Sequence, residues 1–233
     1  LIDASKDAKP YVIDGDCLDP NYSVTFVAGT FTISKIALDV PNARGGDTPY
    51  TGKDIDLSTL ISGLKTHTSV GNDAITWTFS LTYDTEGNGY GTVMKKNAGP
   101  YEIFIMGTAD NHNAYIATSS VTVTINKAEL KLTVSGTTVE YGFNEPTYTI
   151  DARGFVNGEN FESLEVTVIA ETGYTVGSTV GTPFDITLNY KNESNLANYN
   201  VKTDLGKLTV IPRNVTITMT GNSCDYDSEK TEE

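Results

Sequence analysis

The chain has 233 residues, with 30 acidic against 16 basic side chains and a formal net charge of −14. That balance excludes nucleic acid as a partner, because phosphate binding needs a basic face; its plain consequence is solubility and repulsion between chains. Hydrophobic residues make up 38%, enough for one large all-β domain or two ordinary ones with thin cores. No run approaches the roughly 20 apolar residues of a transmembrane helix, so no membrane insertion is expected in this segment.

The opening residues, Leu1-Ile-Asp-Ala-Ser-Lys6, lack the apolar core of a signal peptide. Pro10-Tyr-Val-Ile13 reads as a strand. Asp14-Gly-Asp-Cys-Leu-Asp19 comes next, and its alternate aspartates offer hard oxygens of the kind calcium takes. The other ligands of an EF-hand loop, including the bidentate glutamate, are missing, so Asp14, Asp16 and Asp19 read as a polar turn between strands. No metal or cofactor is expected.

Phe31-Thr-Ile-Ser-Lys35 is the first of three matching junctions; Val123-Thr-Ile-Asn-Lys127 and Leu208-Thr-Val-Ile-Pro212 are the others. Each is an alternating strand that closes one unit and runs straight into the opening strand of the next: Ile36–Val40, Ala128–Val134 and Asn214–Ile217. The spacings, 92 and 85 residues, are those of a whole small domain rather than a solenoid turn. Tyr50, Tyr141 and Tyr226 fall 15, 14 and 14 residues after their junctions. Pro100-Tyr-Glu-Ile-Phe-Ile105 matches Pro183-Phe-Asp-Ile-Thr-Leu188, and Asn21-Tyr-Ser-Val24 matches Asn198-Tyr-Asn-Val201, with Gly29 and Gly206 in corresponding places. The layout expected is therefore 1–34 as the C-terminal part of one repeat, 35–126 and 127–211 as complete β domains, and 212–233 as the start of another. The pattern is under way at both ends, so the expectation is an excised piece of a longer protein whose export and anchoring signals lie elsewhere. No Gly/Ser linker separates the units, which predicts close coupling.

Between the junctions nearly everything reads as strand. Ile75, Trp77, Phe79, Leu81 and Tyr83 alternate with threonine and serine, the period of a half-buried strand, and Val121, Val123 and Ile125 do the same. Glu86-Gly-Asn-Gly89 and Val156-Asn-Gly158 supply turns that need positive φ. The helix-like pieces are short, around Leu57–Leu64 and Glu159–Leu164.

The stretch Tyr141-Gly-Phe-Asn-Glu-Pro146, Gly154-Phe-Val-Asn-Gly-Glu159, Asn198-Tyr-Asn-Val201 and Gly206-Lys-Leu-Thr-Val210 resembles the MBG repeat (YGX type) found in tandem on bacterial surface proteins and adhesins. The resemblance covers Lys127–Ile211. Residues 35–126 keep Tyr50-Thr-Gly but lack Gly-Phe-Val-Asn-Gly, as a divergent copy would. It implies an extracellular home, at the bacterial cell surface or secreted.

The fold expected is all-β: tandem Ig-like β-sandwich domains, or β-grasp-like domains with one short helix each. No catalytic constellation is present. Gly87-Asn-Gly-Tyr-Gly91 lacks the Gly-Lys-Ser/Thr ending of a phosphate loop and reads as a hairpin turn. His67 and His112 lack ligand spacing and read as surface histidines, and Trp77 reads as a core anchor. Asn21, Asn192 and Asn214 begin Asn-x-Ser/Thr triplets that read as chance. Cys17 and Cys224, in copies at opposite ends of the array, read as two free thiols.

The function expected is a non-catalytic structural spacer of a bacterial cell-surface, adhesin-like protein, and not an enzyme. Its partners are neighbouring repeats of the same chain, with a host glycan or surface protein engaged through other parts of the parent protein. The alternative is a carbohydrate- or mucin-binding adhesin domain, with Tyr90, Tyr115, Tyr174 and Tyr190 as ring-stacking candidates.

Overall fold

The structure, a computed structural model, describes residues 10–13 and 19–221. The chain is all-β, made of small sheets. It divides into two compact units. The first gathers the chain up to Lys131 with Arg153–Thr167 and Asn192–Lys202, and so takes in residues from both spans expected to be complete domains, 35–126 and 127–211. The second gathers Leu132–Ala152, Val168–Lys191 and the chain from Thr203 on.

In the first unit the long strand Gly99–Thr108 is the organiser. It pairs antiparallel with Val121–Asn126 along its first half and with Thr76–Ser80 along its second. Asp47–Pro49 adds parallel to the far side of Val121–Asn126. The alternation read from the sequence delivers the core: Ile103, Ile105, Val123 and Ile125 are all buried, while Thr122, Thr124 and Glu102 alternate outward. Gly107 lies under the indole of Trp77, where a Cβ would stand 2.4 Å from Cζ3. The indole Nε1–H donates to the Lys65 carbonyl at 2.7 Å, so Trp77 is half-buried with its polar edge satisfied.

In the second unit Thr137–Glu140 pairs parallel with Lys207–Ile211, and Pro183–Asp185 pairs antiparallel on its other side. This is the arrangement of Asp47–Pro49, Val121–Asn126 and Gly99–Thr108 again. Pro183 lies opposite Thr209 as Pro100 lies opposite Thr124. Val139, Tyr174, Leu208 and Val210 form the core, with Phe184 packed against them.

Three local expectations change. The strand expected to reach Tyr83 stops at Ser80; the Ser80 hydroxyl takes the Thr82 N–H and bends the chain, leaving Leu81 and Tyr83 exposed. Helix is limited, among the described residues, to two single 3-10 turns, Leu57–Leu60 and Glu193–Leu196. The first is capped by Asp56, whose carboxylate accepts from Ser58 N–H. Residues 161–165 make one turn and no more. Asn160 and Ser163 cap each other reciprocally, and Glu165 turns out of the helix at φ 55°. The helix of the β-grasp alternative is thus absent there.

Because Gly107 leaves room for the indole, Gly107→Ala is expected to cost about 1–3 kcal/mol by overpacking. Urea denaturation gives the cost, and a shift in emission of Trp77, the single tryptophan, reports the displaced ring.

Candidate functional site

The feature that gathers the most chemistry lies in the first unit, around Glu159. Val156-Asn-Gly-Glu159 closes a tight turn, with Glu159 N–H donating to the Val156 carbonyl at 2.9 Å. Asn157 and Gly158 sit at φ 52° and 74°, the pair of left-handed residues such a turn requires. The turn aims the Glu159 side chain, 12% exposed, at two hydroxyl donors and a nearby cation. The Tyr50 hydroxyl donates to Oε1 at 2.8 Å, the Tyr199 hydroxyl donates to Oε2, and Lys96 Nζ lies 4.0 Å from Oε1. The Tyr199 oxygen also accepts from Val156 N–H at 3.2 Å. A carboxylate this far from water needs such partners to offset its lost hydration.

Aromatic rings surround the pair. Tyr50 meets Tyr199 edge-on at 5.7 Å, Phe155 meets Tyr199 at 5.5 Å, and Phe155 meets Phe161 at 5.1 Å. Tyr50 and Tyr199 are each 3% exposed. Backbone contacts close the rim. Asn157 Nδ2 donates to the Gly52 carbonyl at 3.0 Å, and Ala98 N–H donates to Asn198 Oδ1 at 2.8 Å. Gly52, at φ 70°, has no space for a side chain: a Cβ would stand 2.7 Å from the Asn157 Cβ.

Burial, then the hydrogen bond to Glu159 and its negative charge, push the Tyr50 hydroxyl up to about 12. The same causes raise Tyr199 well above the ordinary tyrosine range. Neither phenol is thereby an acid–base catalyst near neutrality; both are neutral donors that hold a carboxylate. The site is a clasp, built to join chain segments.

The sequence candidates fall elsewhere. Tyr90 and Tyr115 belong to the first unit, and Tyr174 and Tyr190 to the second. Tyr174 is a core residue whose hydroxyl donates to the Phe143 carbonyl, and Tyr115 packs edge-on to Trp77. His67 is exposed, as expected. His112 is not a surface residue: it is buried, with Nδ1 2.7 Å from the Asp110 carbonyl and 3.5 Å from Asp73 Oδ2. In the loop around Gly87–Gly91 the backbone N–H groups of Glu86 and Asn88 are occupied by the Asp84 carboxylate at 2.8 and 3.1 Å, which holds Asp84 below the usual carboxylate range. That loop therefore offers those donors to no phosphate.

Asp19 accepts from the backbone and side-chain N–H of Asn21. Asp14, Asp16, Cys17 and Cys224 lie outside the described residues. Among the described residues no group of three or more His, Cys, Asp or Glu side chains is placed to hold a metal. A surface cleft of about 360 Å³ in the second unit carries two carboxylates, Glu145 and Glu171. Glu145 is bound by the Tyr148 hydroxyl and by Thr172 N–H and Oγ1, and Glu171 by Asn189 Nδ2. No helix among the described residues is long and apolar enough to cross a membrane.

The chain is thus all-β, uses one three-strand arrangement twice, and joins distant segments through side chains. Residues 130–209 match the family model of the MBG domain (YGX type). No curated protein matches the chain. The matched span includes Tyr141-Gly-Phe143, the glycine-rich turn that presents Glu159, and Tyr199.

Glu159→Ala leaves two buried phenols without an acceptor and is expected to destabilise by about 3 kcal/mol; Tyr50→Phe removes one of several donors and costs about 1 kcal/mol. Paired urea titrations of the two variants check the ranking. Alkali provides a second check. A phenol raised in the folded state contributes stability that is complete below its unfolded value, near 10, and is lost as pH rises through the folded value. Stability is therefore expected to hold to about pH 10 and fall by about pH 12. In Tyr50→Phe that fall is shallower, as denaturation midpoints taken along the pH series will register.

Proposed function

We propose that the chain is a non-catalytic spacer module of a bacterial cell-surface, adhesin-like protein, its Ig-like repeats held in register by clasps of the Glu159 kind. The observation that carries this reading is the Tyr50–Glu159–Tyr199 cluster, which binds side chains 109 and 40 residues apart into one buried group. A stalk must resist bending where one repeat meets the next, and a dry carboxylate with several donors resists it better than a solvated linker. The family match at 130–209 supports a surface-protein module and a location outside the cell. Its partners on this reading are neighbouring repeats, with any host glycan or protein engaged elsewhere in the parent.

A glycan array combined with immobilised mucin separates the spacer from the adhesin reading. The spacer is expected to give no binding that free sugar competes away. Competable binding that disappears on replacing Tyr90, Tyr115 or Tyr190 would replace the spacer reading with the adhesin one.

A further inference from the structure

Tyr50 and Tyr141 hold the same place in two copies of one sheet plan. Each comes after a short strand that runs parallel to a closing strand, and each donates its backbone N–H to that strand's last residue, Asn126 or Ile211. With Pro100 answering to Pro183 and Lys127 to Pro212, Asn97 answers to Val180, Ala128 to Arg213 and Leu130 to Val215. In the first copy Tyr50, Asn97 and Ala128 close on a single turn. The Tyr50 ring stands edge-on to Tyr199, Asn97 Oδ1 accepts from Asn198 Nδ2 at 3.4 Å, and Ala128 N–H donates to the Asn198 carbonyl at 3.0 Å.

The counterparts Tyr141, Val180, Arg213 and Val215 line a surface cleft of about 480 Å³ in the second unit. Tyr141 is 47% exposed where Tyr50 is 3%, and Val215 is 77% exposed where Leu130 is fully buried. Ile217 and Met219 continue the stripe, exposed at positions where Leu132 and Val134 are buried. Residues 212–221, with a strand expected over Asn214–Ile217, form none here; apolar residues alternating with polar ones at this period are those of a strand that still has a core to join. The cleft also carries a cation: the Arg213 guanidinium lies 5.0 Å over the Phe143 ring.

We propose that this face is the docking surface for a further repeat of the same kind, which seats an Asn-Tyr turn and a glutamate-bearing Asn-Gly turn on Tyr141. The glutamate takes the Tyr141 hydroxyl as Glu159 takes that of Tyr50, and Arg213 supplies the positive charge that Lys96 supplies in the first copy. The alternating Val215, Ile217 and Met219 become the buried side of the newcomer's first strand. This rests on the tandem-spacer reading and names the partner of its exposed face.

The test continues the full chain from Tyr226 with a second copy of Gly142–Ile211, which gives the third opening strand a complete repeat. Tyrosines are nitrated with tetranitromethane and mapped by mass spectrometry. Tyr141 is expected to react about fivefold more slowly than in the parent chain, as a residue reached only by local opening does. Tyr22, 70% exposed, is the unprotected control. Placing Glu159→Ala in the added copy is expected to restore most of the Tyr141 reactivity. Unchanged nitration of Tyr141, with the added repeat folded or unfolded, overturns the proposal, and so does protection indifferent to the added Glu159→Ala. Either failure leaves the spacer reading to stand or fall on the glycan array.

Discussion

A carboxylate taken out of water must be hydrogen-bonded and charge-compensated, or it drives the structure apart. Glu159 meets that demand with partners that share no local sequence: the donors Tyr50, after a short strand, and Tyr199, at the start of a late one, and the charge of Lys96 on the approach to the long strand. Each donor is itself fixed by something else. Tyr50 is held by its backbone bond to Asn126, and Tyr199 by its rings and by Val156 N–H. The carboxylate therefore ties segments distant in sequence into one arrangement. A hydrophobic contact at the same place would tolerate sliding; a charged group with fixed donors does not.

The sheet plan explains why such a clasp is useful. In both copies the closing strand is central, with a parallel partner on one side and an antiparallel partner on the other. The parallel partner comes from the start of the repeat and the closing strand from its end, so a repeat is closed only when its last strand is in place. Only Lys127 separates the closing strand Val121–Asn126 from the next strand, Ala128–Val134. Immediately after it, Ala128 N–H donates to the Asn198 carbonyl at 3.0 Å, beside the clasp.

Much of this was readable in the sequence where the signal is local. Alternation marked Val123 and Ile125 as sharing one face of a strand, and both are buried. Asn157-Gly158 marked a turn that the backbone confirms. Alternation ran too far past Ser80, because period two cannot register a side-chain hydroxyl that captures the next free N–H. The burial of His112 was illegible for a related reason: its partners Asp110 and Asp73 are polar groups brought together by the fold. The clasp lay further out of reach. Tyr50 and Glu159 are 109 residues apart, and nothing periodic links them. The available hint was that tyrosine recurred at a fixed distance after each junction, which pointed to a common role without revealing its partner.

Two glycines, Gly154 and Gly63, permit a close backbone approach, and the residues that follow them differ. Gly154, at φ 113°, packs so closely on the opening strand that a Cβ would stand 2.1 Å from the Glu129 carbonyl oxygen. Gly63, at φ 81°, also makes a close backbone approach, to the Asn42 carbonyl oxygen, which a Cβ would meet at 1.9 Å, but in a loop rather than on the opening strand. Close approach of backbone to backbone is thus kept in both copies, and only glycine permits it there. The residues beyond the glycine differ between the copies. After Gly154 come Phe155, the Asn-Gly turn and Glu159; after Gly63 come Leu64-Lys-Thr-His67, with neither the ring nor the carboxylate. The glycine serves the interior of a repeat, whereas the five residues after it serve the clasp.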